Sequence, residues 1–384
     1  MKDETRLIHT GRDSAGHIGA VNVPVYRAST LLHPTLEALE GNTLAYGYGR
    51  RGTPTTRALE ASICTLEQGA RAVLTPSGLS ACTTALLSAL RSGDHLLMVD
   101  SVYSPTRAFC DKTLKRLGVT TTYYSPSATA GDLHALMHAN TKAVFIESPG
   151  SGTFEVQDIP ALAAVARAGG ASVIVDNTWA TPLFCKPLAL GADISVNAAT
   201  KYIVGHADAL LGTITANESH AARVLDFHGT FGLTVSGDEA YLGQRGLRTL
   251  AVRLARHQDT ALKLAAWFSM RPEVARILHP ALPSDPGHAI WKRDFTGASG
   301  LFGVELKPAP REAVAAFFNG FHLFGMGWSW GGYESLAVTT KITRTVPGGY
   351  RPTGPLLRFH AGLEDPDDLI ADLAAAFDRM NKVS

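Results

Sequence analysis

The sequence predicts an α/β protein with a mostly parallel central sheet, followed by a smaller α+β region toward the C-terminus. Three observations carry that expectation. Short runs at Leu96-Leu97-Met98-Val99, Ala143-Val144-Phe145-Ile146 and Val173-Ile174-Val175 are continuously apolar, as strands covered on both faces are. Helix-like segments near 80–91, 106–117 and 158–168 separate them, giving a βαβ rhythm. The chain has 384 residues, 45% hydrophobic and 18% charged, enough apolar material for a large core and far from a disordered composition.

In chain order, residues 1–52 stand before the rhythm and read as an N-terminal arm. Thr53-Pro54 is a helix cap with proline at the first helical position, and Leu59, Ile63 and Leu66 then share one helical face. The alternation runs to about residue 246, so 53–246 is read as the large α/β domain. A helix-like segment from Leu247 to Ser269 and proline-punctuated sequence open the smaller region, 247–384. Its last element is a helix capped by Asp365-Pro366, with Leu369, Leu373 and Phe377 on one face.

Composition excludes several function classes. Lys+Arg total 35 against 34 Asp+Glu, a net charge of +1, so the basic footprint that nucleic acid demands is missing. Cys64, Cys82, Cys110 and Cys185 form no C-x-x-C pair and read as reduced thiols. No apolar run approaches ~18 residues, and acids stand at positions 3 and 4, so neither a membrane span nor a secretory leader is expected and the protein reads as cytoplasmic. Two motifs are set aside. Gly47, Gly49 and Gly52 spell a dinucleotide fingerprint but lack the preceding strand and the later acid. His134 and His138 have zinc spacing but no glutamate between them and no third ligand, so no metal site is expected.

The residues that carry chemistry are spaced along the large domain. Asp176 ends an apolar strand, where open α/β sheets place their ligands. Lys201 follows Ile194-Ser195-Val196 amid small residues, in Ala198-Ala199-Thr200-Lys201-Tyr202. A lysine amine bonds an aldehyde cofactor, and a carboxylate facing a pyridine nitrogen keeps that nitrogen protonated. Thr75-Pro76-Ser77-Gly78-Leu79 leads into a helix whose free N–H groups suit a phosphate, with Arg50 and Thr200 as candidate helpers.

At this point the chain resembles a known family. Asp176-Asn177-Thr178-Trp179-Ala180 and Ala199-Thr200-Lys201-Tyr202 are similar to the motifs of the pyridoxal 5'-phosphate enzymes of cysteine and methionine metabolism. Tyr48-Gly49-Arg50 resembles that family's Tyr-x-Arg, and the likeness extends from about residue 24 almost to the C-terminus. It implies an aspartate-aminotransferase-like fold, with Lys201 bonded to the cofactor, Asp176 on its ring nitrogen and Tyr103 stacked on the ring. Gly78, Leu79 and Thr200 would hold the phosphate, joined by Tyr48 and Arg50 of a neighbouring subunit. Arg358, beside Ser329 and Trp330, would bind the substrate carboxylate. Ala198 stands where many relatives have a phosphate-binding serine, a change that either loosens the phosphate or shifts that work to the backbone.

Glu147-Ser148-Pro149-Gly150-Ser151 and Ser329-Trp330-Gly331-Gly332-Tyr333-Glu334 resemble the family's β-acting branch. That branch implies cleavage of L-cystathionine to homocysteine, pyruvate and ammonia in methionine biosynthesis, by a homotetramer built from dimers that share active sites. The rival expectations are a γ-acting relative and, more remotely, a catalytically silent partner-binding protein.

Overall fold

The computed structural model describes residues 1–41 and 43–383. Seven strands form the main sheet: β1 (Arg71–Thr75), β2 (His95–Val99), β3 (Thr120–Tyr124), β4 (Thr141–Glu147), β5 (Ser172–Asp176), β6 (Ile194–Asn197) and β7 (Gly212–Ala216). Their order is β1-β7-β6-β5-β4-β2-β3. β7 runs against both of its neighbours, β1 and β6; the pairs from β6 through β5, β4 and β2 to β3 are parallel. The continuous apolar runs are the central strands, and β2 and β5 are buried at every position.

The helices obey the local signals. Pro54–Glu67 starts from a capping box between Thr53 and Thr56, and Leu59, Ile63 and Leu66 are wholly buried. Gly78–Ala89 is capped by the Ser77 hydroxyl, which accepts the Ser80 N–H. The segment expected near 106–117 is a short helix, Ser104–Ala108, that widens into a π turn over Phe109–Leu114. The stretch expected over 247–269 is the helix Leu250–Ser269, while Leu247 and Arg248 end a preceding helix, Gly237–Arg248.

A second, antiparallel sheet has the order β10-β11-β9-β8, from β8 (Val274–Leu278), β9 (Leu301–Leu306), β10 (Leu336–Thr339) and β11 (Leu356–His360). Its core is aromatic, with Phe268, Phe302, Phe317, Phe359 and Phe377 buried together. Trp179 Nε1 donates to the Leu301 carbonyl at 2.9 Å, and the Gly300 N–H donates to the Tyr202 hydroxyl at 2.9 Å. Segments just after Asp176 and Lys201 are thereby tied to the second sheet. No helix among the described residues is long and apolar enough to cross a membrane. All four cysteines are free, Cys64 only partly buried. His138 stacks on His95 at 4.3 Å between ring centroids.

Candidate active site

Asp176 is the last residue of β5, so its carboxylate sits at the carboxyl edge of the sheet. One oxygen accepts the Thr178 N–H at 2.9 Å and the Thr178 hydroxyl at 2.5 Å. The other faces the Cys82 thiol at 3.6 Å. Thr178 Oγ1 in turn accepts the Ala198 N–H at 2.8 Å, which clips the aspartate turn to the turn that carries the lysine.

Lys201 Nζ donates to Ser329 Oγ at 2.5 Å and lies 5.3 Å from the centre of the Trp330 ring. Burial, and then the Arg358 guanidinium, push its amine down to about 8, against the opposing pull of Asp176. Arg358, on β11, donates to the Ser329 carbonyl at 3.0 Å. Tyr103 is half exposed, and its main-chain N–H donates to Glu147 Oε2 at 2.8 Å. Lys201, Asp176, Tyr103, Ser329, Trp330 and Arg358 therefore meet in one place.

The remaining expected residues divide into two groups. Gly78 and Leu79 open the helix after β1, and their N–H groups have no partner among the described residues. A Cβ on Gly78 would come within 2.3 Å of the Ala198 Cβ, so glycine is what lets this helix start approach the lysine turn. Thr200 Oγ1 is engaged with Leu211, accepting its N–H at 2.8 Å and donating to its carbonyl at 3.1 Å. Tyr48 and Arg50 share no hydrogen bond or ring contact with Lys201 among the described residues. Arg50 donates to the Gly229 carbonyl at 2.9 Å and lines a cleft of about 650 Å³ with Arg51, Arg57, Asp226 and His228.

The sequence reading gave no role to Glu147, the last residue of β4. It stands in register beside Asp176 and is 7% exposed. Burial, and then the Asp176 charge, push Glu147 up to about 8. Burial raises Asp176 as well, but the Thr178 hydrogen bonds and Lys201 oppose it there. Hydrogen bonds oppose the rise at Glu147 too, from Ser151 and from the Tyr103 N–H. An acid ending an apolar strand was the signal that found Asp176, and it applied equally to Glu147.

This donor set fits pyridoxal phosphate: a part-buried, partly neutral lysine for its aldehyde, a buried carboxylate for its ring nitrogen, and unpartnered N–H groups at a helix start for its phosphate. The fold and these residues define a pyridoxal phosphate enzyme of the aspartate-aminotransferase type. The family model described as "Cys/Met metabolism PLP-dependent enzyme" matches residues 4–378, and the chain belongs to that family. A putative cystathionine beta-lyase of Rhizobium johnstonii is 50% identical over 97% of this chain and 95% of its own length. The cystathionine beta-lyase of Salmonella typhimurium is 46% identical over 98% of each chain. Among solved structures, a cystathionine gamma-lyase from Lactobacillus plantarum, complexed with L-serine, is 31% identical with a TM-score of 0.91, covering 99% of this chain and 100% of that one.

Proposed function

We propose that this protein is a carbon–sulfur lyase that removes the β substituent of L-cystathionine, giving homocysteine, pyruvate and ammonia. The observation that carries the reading is a part-buried lysine amine, depressed to about 8, placed among Ser329, Trp330 and Arg358 and near the buried Asp176. The names of the β-lyase relatives support the choice of substrate.

Bound pyridoxal phosphate would supply an electron sink beside the substrate Cα. Asp176 would hold its ring nitrogen, Tyr103 its ring face, and Gly78, Leu79 and Thr200 its phosphate. Arg358 would receive the substrate carboxylate, fork against fork, and so fix which Cα bond faces Lys201. Lys201 would take the Cα proton, for which an amine titrating near neutrality is suited. The departing sulfur would receive a proton from Lys201 or Tyr103. Burial holds the Tyr103 phenol above its ordinary range, which favours a protonated donor.

Residues 1–52 would act as an arm onto a neighbouring subunit, with 53–246 and 247–384 as the two domains. Ile18, Leu32 and Leu36 lie bare on the arm, as a segment awaiting a partner surface would leave them. Tyr48 and Arg50 would then complete the phosphate site of the neighbour, and dimers sharing sites in this way would pair into a homotetramer. A cytoplasmic enzyme acting on a free amino acid, with no nucleic-acid partner, fits the balanced charge of +1.

Lys201→Ala tests the assignment. The variant is expected to fold and to release no pyruvate from L-cystathionine, and pyruvate release at the unmodified rate would refute it.

A further inference from the structure

The loop that carries Ser329 and Trp330 is held in a costly conformation. Ser329 has φ +85°, a region that a residue with a side chain rarely occupies, and Gly331 follows at φ +89°. A Cβ on Gly331 would lie 2.9 Å from the main chain of Lys201 and Tyr202, so the loop presses directly on the lysine turn. Such a conformation persists only where its surroundings hold it.

Two side chains of β11 grip the loop carbonyls. Arg358 donates to Ser329 O at 3.0 Å, and His360, two residues on, donates from Nε2 to Gly332 O at 3.0 Å. In the proposed reaction Arg358 turns to the substrate carboxylate, which leaves His360 as the side chain still holding these carbonyls, next to the Leu363 N–H on Tyr333 O at 2.8 Å. His360 is 1% exposed and locked from behind. Its Nδ1 faces the Tyr202 hydroxyl at 3.5 Å, and its ring packs 5.1 Å from His257. His257 is fixed by donating from Nδ1 to Ala361 O at 2.7 Å. Burial keeps both imidazoles neutral, down to about 3 for His360 and about 4 for His257. With Nε2 as its donor, a neutral His360 leaves Nδ1 to accept from Tyr202.

We infer that His360 is a positioning residue of this site: through the Gly332 carbonyl it sets Ser329 and Trp330 against Lys201. The inference rests on the lyase reading for its kinetic consequence, not for its structural one.

His360→Gln and His360→Asn test it, because a glutamine amide reaches about where Nε2 stands and an asparagine amide stops short. Two measurements apply to each. One is the pH at which half of Lys201 reacts with an amine-specific reagent in the cofactor-free chain, read by mass spectrometry. The other is kcat and KM with L-cystathionine in the loaded enzyme. In His360→Asn the loop loosens and water reaches the amine, so the labelling midpoint is expected to rise by about one pH unit. Its kcat is expected to fall about tenfold with a smaller change in KM. His360→Gln is expected to keep both near the unmodified values. Should the asparagine variant not fold, His360→Ser gives the same comparison. If the glutamine variant and the shorter one behave alike, whether both intact or both impaired, the inference is overturned. Absence of pyruvate from the unmodified enzyme would instead overturn the lyase reading, and the labelling contrast would still decide the role of His360.

Discussion

At the scale of the residue, Lys201 is a cation held where water is scarce, and that has a thermodynamic signature. In the cofactor-free chain burial pushes its amine down to about 8, against 10.5 when unperturbed. Below that lower value both folded and unfolded states carry the proton, and the folded state bears the full cost of burying it. Between the two values the unfolded chain binds more protons than the folded one, so stability rises with pH across this window. Lys201→Ala lacks the group. The melting temperature of the cofactor-free variant should exceed that of the parent most at pH 7, with the gap narrowing steadily toward pH 10.5. A gap independent of pH would contradict the depressed amine. Lys201 was legible in the sequence because it stands amid small residues just beyond a strand, and Asp176 because it ends an apolar strand. Glu147 offered that same signal but gained meaning only from its register beside Asp176. His360 was not legible, since nothing in Leu357-Arg358-Phe359-His360 reveals that Gly332 lies across from the imidazole.

At the scale of the element, burial decided what could be read. Within β2, β4 and β5 the runs 96–99, 143–146 and 173–175 are apolar and wholly buried, as strands covered on both faces are. β3, Thr120–Tyr124, is an edge strand of three threonines and two tyrosines, and its polarity hid it. β7 alternates Gly212-Thr213-Ile214-Thr215-Ala216, and its threonines gave no continuous apolar run although every position is buried. The C-terminal helix, Pro366–Asn381, was legible from its cap, yet its most exacting contact was not. Asp372, 6% exposed, accepts the main-chain N–H groups of His322 at 3.1 Å, Leu323 at 2.8 Å and Phe324 at 3.3 Å. Asp372→Ala strands these donors and should cost about 2–4 kcal/mol, read from the urea unfolding midpoint. A loss under about 0.5 kcal/mol would show that the turn finds other partners.

At the scale of the whole molecule, the two sheets meet where the chemistry is placed. Lys201 and Asp176 come from the main sheet, Arg358 from β11, and Ser329 and Trp330 from the loop before β10. The bonds from Trp179 to Leu301 and from Gly300 to Tyr202 hold these parts in one frame. Tyr48 and Arg50 stand outside that frame, which gives the shared-site proposal a direct test. Arg50→Ala and Lys201→Ala, each impaired alone, should regain activity when denatured together and refolded as mixed dimers, because one site then holds both intact residues. Mixtures no better than the sum of their parts would argue for self-contained subunits. The fold leaves open which carbon–sulfur bond is cut, since a γ-lyase structure superposes with a TM-score of 0.91. The products settle it. Incubated with pyridoxal phosphate and L-cystathionine, the purified protein should release pyruvate and homocysteine in equal amounts; release of 2-oxobutyrate and cysteine would contradict the account.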